Sequence, residues 1–224
     1  MEKFRSGSNA VSPSTKIGEN TKIGLYSVIG YPEVKDKVVK IGNECIIGNH
    51  VTVCPRVKIG NGVIIGDHSF ISENAVIENG VFVDTHAFIG ENATIGGHSS
   101  ILYGTRIYND VKIGNNSKIS GFIAENASIG NHVAIFGKVI HSFRDPTHWN
   151  GGEKTPEIKD FVVVGFDAIV IGDVKVQHHV YITAAALVSK DVPPYSVVTG
   201  CNKIIPFKDW KGQLKWSKFW EWNE

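Results

Sequence analysis

The fold is decided by "KIGNECIIGNHVTVCPRVKIGNGVIIGDHSFI", Lys40 to Ile71. In it Ile41, Ile47, Val53, Ile59, Ile65 and Ile71 return at every sixth position. The same beat runs earlier through Ile17, Ile23 and Ile29, and later from Ile77, Val83, Ile89 and Ile95 to Ile101, Ile107, Ile113 and Ile119. After a slip it resumes at Ile123, Ile129 and Ile135, and a last block gives Val164, Val170, Val176, Ile182 and Val188. Apolar returns at three and four would mark a helix, and strict alternation a half-buried hairpin strand. Period six fits neither.

The positions between the aliphatics obey rules of their own. Gly often follows the aliphatic residue, and Asn, Asp, Gly or His come two or three residues on, where a left-handed backbone is tolerated. The fifth position is small or slender, as at Thr21, Ser27, Cys45, Ser69, Ala75 and Ala93. This suits a short strand and a corner, repeated, with one large and one small side chain facing inward. Three units close a triangular coil of eighteen residues, stacked at the parallel-strand spacing of about 4.8 Å. The count of units predicts about eight coils of an all-β parallel β-helix.

Ile or Val, then Gly, two variable residues, then Ser, Thr, Ala or Val: this pattern resembles the left-handed β-helix hexapeptide-repeat acyltransferases. The tail "VVVGFDAIVIGDVKVQHHVYITAAALVSKDVPPYSVVTG" is similar to the last coils of the maltose, galactoside, xenobiotic and polysaccharide O-acetyltransferases. The left-handed sense comes from that resemblance. The expected organisation is a lead-in over 1–14, the β-helix over 15–200 with a loop over 142–161, and a tail over 201–224. Trp216, Phe219 and Trp220 fall at helical spacing there and predict a short capping helix.

The beat counted from Ile135 falls on His141 and then lapses until Val164, across "SFRDPTHWNGGEKTPEIKDF". In the resembling enzymes the catalytic histidine stands at a strand end just before such a loop. The resemblance therefore implies His141 as the base, with His148 as the alternative. Acetyl transfer needs a group titrating near neutrality to take the acceptor proton, and donors for the oxyanion. Asp145 is a candidate to orient the imidazole, although Asp145-Pro146 also reads as a turn. Arg144, Trp149 and Asn150 are the acceptor-side candidates.

The co-substrate implied is acetyl-CoA, lying along the helix in a groove between subunits of a homotrimer. Gly165, Ala184 and Ala185 would let it approach the backbone, Ser189 and Lys190 match the family's closing segment, and Lys190 and Lys203 are phosphate candidates. Ile169 stands where the family often has Trp, and "GCNK" replaces its usual exit sequence. No Walker or Rossmann glycine motif is present.

A net charge of +1 gives no footprint for nucleic acid, and three scattered cysteines give neither a disulfide framework nor a zinc motif. With no apolar run for a membrane span, a cytoplasmic enzyme acting on a sugar, nucleotide-sugar or similar small acceptor is expected, without a metal. His50, His68 and His86 recur at eighteen residues and leave open a reading related to gamma-class carbonic anhydrases, in which Glu91 replaces the third histidine. A non-enzymatic assembly solenoid is the other alternative.

Overall fold

Each unit folds as a two-residue strand and a corner, so that Lys40–Ile41, Ile46–Ile47 and Thr52–Val53 lie on three successive faces. The first residue of each strand points outward. The second points into the coil, where Ile41, Ile47 and Val53 are buried. The computed structural model describes residues 8–31, 38–142 and 153–212. Its strands stack into three sheets. Face 1 has ten strands, from Ala10–Val11 to Leu187–Val188, and face 2 has nine, from Lys16–Ile17 to Lys175–Val176. Face 3 has eleven, from Lys22–Ile23 to Lys203–Pro206.

The chain is thus an all-β, left-handed parallel β-helix of about ten turns, not eight. The shortfall lay in rungs hidden from a strict count of six: Val11, Val139, Ile158 and Val198. After Val198 the chain doubles back, Lys203–Pro206 pairing antiparallel with Ser196–Thr199. A 3-10 turn follows at Phe207–Asp209. The helix expected around Trp216, Phe219 and Trp220 lies outside the described residues. No described helix is long and apolar enough to cross a membrane.

The small inward residues close the polar accounts of the corners. Ser99 Oγ donates to the Gly114 carbonyl at 2.9 Å and accepts from Ser117 N at 3.0 Å. Ser117 repeats this one coil on, with Gly130 and Val133. Where faces 2 and 3 meet, the residue two after the aliphatic builds a side-chain ladder. Asn43 N donates to Asn61 Oδ1 and Asn61 N to Asn79 Oδ1, both at 2.8 Å. The next residue takes the left-handed conformation, as at His98, Asn116 and His132. Asn, Asp and His therefore recur for two separate reasons, a bond and a backbone angle.

His132, Phe161, His179 and Tyr195 continue that corner as a column of rings. His178 Nδ1 lies 2.9 Å from His179 Nδ1, which requires one ring to donate and the other to accept. Burial pushes the His179 pKa down, His178 adds to this and Asp160 opposes it.

Two measurements check this account. Ile101 is fully buried in a middle coil, and Ile101→Ala is expected to cost about 2–5 kcal/mol in chemical denaturation. A histidine with a depressed folded pKa binds its proton more readily in the unfolded chain. Its contribution to stability is intact above the ordinary histidine value of about 6.5 and is lost as pH falls through it. Thermal melts at about pH 7.5 and about pH 5.5 should therefore show a larger drop for the native chain than for His179→Asn, which keeps a residue tolerant of the left-handed backbone.

Candidate active site

Two successive corners from face 3 to face 1 are shorter than the rest. Phe88 pairs with Arg106, eighteen residues on, but Arg106 pairs with Phe122 and Phe122 with Lys138 at sixteen. The tight bends fall at Gly121, with φ of 127°, and at Gly137. A Cβ at Gly121 would run into the Gly137 carbonyl, and one at Gly137 into the Ala168 carbonyl. Only glycine allows the coils to stack there.

The shortening changes the phase of everything after it. The inward rung is Val139, fully buried and in register with Ile123 and Val170. The expectation that the beat falls on His141 is corrected by the two residues missing at Gly137. His141 instead follows directly after the strand Lys138–Ile140, on the corner from face 1 to face 2. The lapse is also shorter than expected, because Ile158 is already a core residue on face 2.

Glu153 returns from the loop to place Oε2 2.6 Å from His141 Nδ1, with only 12% and 17% of the two side chains exposed. Oε2 is buried and has no hydrogen-bond partner of good geometry. The Ser142 carbonyl lies 3.4 Å from the same nitrogen. Ser142 N also donates to the Lys154 carbonyl at 3.0 Å, and Lys154 Nζ meets Asp173 Oδ2 at 2.6 Å. Both ends of the loop are thereby tied to the coil that follows it.

A cavity of about 460 Å³ opens beside the imidazole, lined by Tyr108, Phe122, Ala124, Glu125, Lys138, Ile140 and His141. The phase shift assembles it. Tyr108, Ala124 and Ile140 lie sixteen residues apart and follow the rungs Ile107, Ile123 and Val139. At this corner side chains stand where the corner leaving face 2 mostly carries glycine. The Tyr108 and Phe122 rings meet at 4.8 Å between centroids, tilted by 43°. Such a wall fits the apolar face of a ring-sized ligand, with polar groups at its edge.

The other expected residues fall on two corners of face 1. Gly165, Ala184 and Ala185 follow face 3 strands and sit on the corner entering face 1. Gly165 is buried against the Ala184 backbone of the next coil. Ser189 and Lys190 lie on the corner leaving face 1, two coils beyond His141. Ser189 N donates to Asn202 Oδ1 and Asn202 Nδ2 to Ser189 Oγ, each at 2.8 Å, which gives the unusual "GCNK" exit a structural role. Lys190 and Lys203 are exposed. Arg144, Asp145, His148, Trp149 and Asn150 lie outside the described residues. The carboxylate that the structure sets beside His141 is Glu153, which the sequence reading passed over. Glu125, Lys138, Tyr108 and Phe122 were missed as well; a count of four across Gly121 and Gly137 would have aligned them.

His50, His68 and His86 form an exposed column, stacked at 4.9 and 5.0 Å, with Tyr26 on one end and Tyr103 edge-on at the other. Among the described residues no three His, Cys, Asp or Glu side chains converge as metal ligands. Asp67, beside this column, has its pKa lowered mainly by accepting from Asn49.

Residues 39–73 match the bacterial transferase hexapeptide model (six repeats), and residues 87–120 match the hexapeptide repeat of succinyl-transferase. The chain is a hexapeptide-repeat left-handed β-helix. A comparison with curated proteins yields no sequence match. Among solved structures, this hexapeptide-repeat chain resembles an UDP-N-acetylglucosamine acyltransferase with a TM-score of 0.54 and 18% identity, over 88% of this chain and 70% of that one. The Arabidopsis UDP-N-acetylglucosamine acyltransferase gives 0.58 and 16%, over 88% and 71%. At these identities the likeness concerns the fold.

Proposed function

We propose that this chain is an acyltransferase in which His141 is the base. It moves an acyl group, acetyl from acetyl-CoA, to a hydroxyl or amino group of a sugar, nucleotide-sugar or similar small polar acceptor. One observation carries the reading: a histidine in the wall of a ring-sized cavity has a carboxylate 2.6 Å from its Nδ1. The transferase descriptions of both matching repeat models agree with it.

The chemistry follows from the ring. With Glu153 at Nδ1, the tautomer that carries its proton there is favoured, and Nε2 becomes the basic nitrogen. Nε2 takes the acceptor proton as the acceptor attacks the thioester carbonyl. The tetrahedral intermediate collapses by breaking the C–S bond, and the imidazolium returns the proton to the departing thiolate. No enzyme-bound acyl group is needed.

Coenzyme A fits along face 1, between Gly165, Ala184 and Ala185 on one corner and Ser189 and Lys190 on the other. Lys190 and Lys203 would meet its phosphates. A homotrimer, by placing a second chain against this groove, would complete its wall. Arg144, Trp149 and Asn150 belong to the acceptor side by their place in the loop, and a cytoplasmic location suits both substrates.

A thiol-release assay with acetyl-CoA and a panel of sugar and nucleotide-sugar acceptors tests the assignment. His141→Ala should lower kcat by about 10²–10⁴-fold, and full activity in that variant would sink the base. Glu153→Gln should lower kcat while leaving KM for both substrates nearly unchanged, and Glu153→Asp should restore part of the loss. Loss of folding in place of this kcat effect would make Glu153 a structural residue only.

A further inference from the structure

The cavity carries two charges that the reaction above does not use. Glu125 and Lys138 both line it, and among the described residues neither side chain makes an ion pair or a hydrogen bond. Their setting is apolar: Tyr108, Phe122, Ala124 and Ile140 form the rest of the wall beside His141. Glu125 is half-buried and Lys138 exposed at the rim, so each is open to a ligand that brings its complement.

The placement of each charge is informative. Glu125 stands on the same corner as His141, one coil below it, whereas Lys138 projects from the outer surface of face 1. That corner carries a carboxylate on four successive coils, at Glu73, Glu91, Asp110 and Glu125, with no Lys or Arg on it between Arg56 and His141; beyond His141 it carries Lys154, paired with Asp173, and Lys190. Glu73 is engaged with Arg56 at 3.4 Å, and Asp110 accepts from Asn92 at 3.0 Å. On the side of the preceding coils the approach to the imidazole is therefore negative, and a cation there meets Glu125 one coil below the base.

We infer that the acceptor is an amine: a ring-sized molecule whose ammonium group is held by Glu125 next to His141 and whose anionic substituent is held by Lys138. This rests on the transfer reading above and settles its open choice in favour of nitrogen. The ammonium loses one proton to Nε2 of His141, and its nitrogen lone pair attacks the thioester carbonyl. The C–N bond forms and the C–S bond breaks. The nitrogen sheds a second proton, the thiolate takes one, and the products are an amide, a free thiol and one proton released to water. Glu125 is the specificity-determining residue, and Lys138 selects the anionic group.

Four probes separate the two charges: glucosamine 6-phosphate, glucosamine, glucose 6-phosphate and glucose. Each is assayed for thiol release with acetyl-CoA, and for binding by calorimetry to His141→Ala. Glucosamine 6-phosphate should bind and react best, with a preference of at least about ten-fold over glucose 6-phosphate. Glu125→Gln should abolish the amine preference and leave the response to phosphate intact. Lys138→Gln should do the reverse. An amine preference in binding without thiol release from any probe would overturn the transfer reading and support the specificity. Turnover that favours the hydroxyl compounds, an amine preference that survives Glu125→Gln, or no binding of either phosphate ester or amine overturns the specificity proposal, whatever becomes of the base.

Discussion

The described coils are constrained by the hydrogen bonds that run between them. A strand of two residues has no stability of its own; it exists because N–H and C=O groups find the coil above and below. Gly60 N donates to the Ile77 carbonyl at 2.8 Å, and Gly96 N to that of Ile113 at 2.8 Å, with the same step repeated along the axis. Once that register is set, residues one coil apart must share a column. Inward columns become a continuous core of Ile and Val. Corner columns become ladders, and here they are built from Asn amides, Ser hydroxyls or stacked rings according to which face turns.

A solenoid held this way changes only where its period changes. The corners at Gly121 and Gly137 each drop two residues without breaking the ladders, since Ile119 still stacks on Ile135 and Ile123 on Val139. The core is undisturbed, but the residues outside it are displaced relative to a strict count. Tyr108, Glu125 and His141 are thereby gathered on one corner, over a wall of Phe122 and Lys138. The glycines are the cause, because no Cβ fits between these bends and the carbonyls stacked against them.

Most of the architecture was legible in the order of the residues. Ile41 to Ile119 give period, strand position and inward face without reference to any structure. The rungs that escaped were those around the bends and ends: Val11, Val139, Ile158 and Val198. Each sits where the six-residue count had been interrupted or had not begun. The site was legible only in part. The count of six puts His141 on a rung, a place that belongs to Val139, and His141 follows that strand on the corner. Its neighbour Glu153 could not be found by spacing, since eleven residues separate the two and no period spans them. Glu125 and Lys138 belong to no motif in the sequence, and their common cavity depends on a phase shift that a periodic reading treats as noise.

The division of labour between scaffold and loop follows from the same physics. Scaffold positions are rigid but must obey the columns, so that a side chain placed there has neighbours of fixed kind one coil away. A base needs a neighbour of opposite charge on one nitrogen and an approach route to the other, which a column of equivalent residues does not supply. The imidazole is therefore fixed by the strand Lys138–Ile140, and the carboxylate is delivered by a loop that answers to no period. Because Glu153 is largely buried, its charge is screened less than those of Glu91 and Asp110, which are exposed lower on the corner. The corner thus has two kinds of negative charge. A near one acts on Nδ1 and sets the direction of the ring, and a graded set beneath it acts on whatever approaches. In the proposed transfer, the first would bear on how a proton is taken, and the second on which molecule gives it.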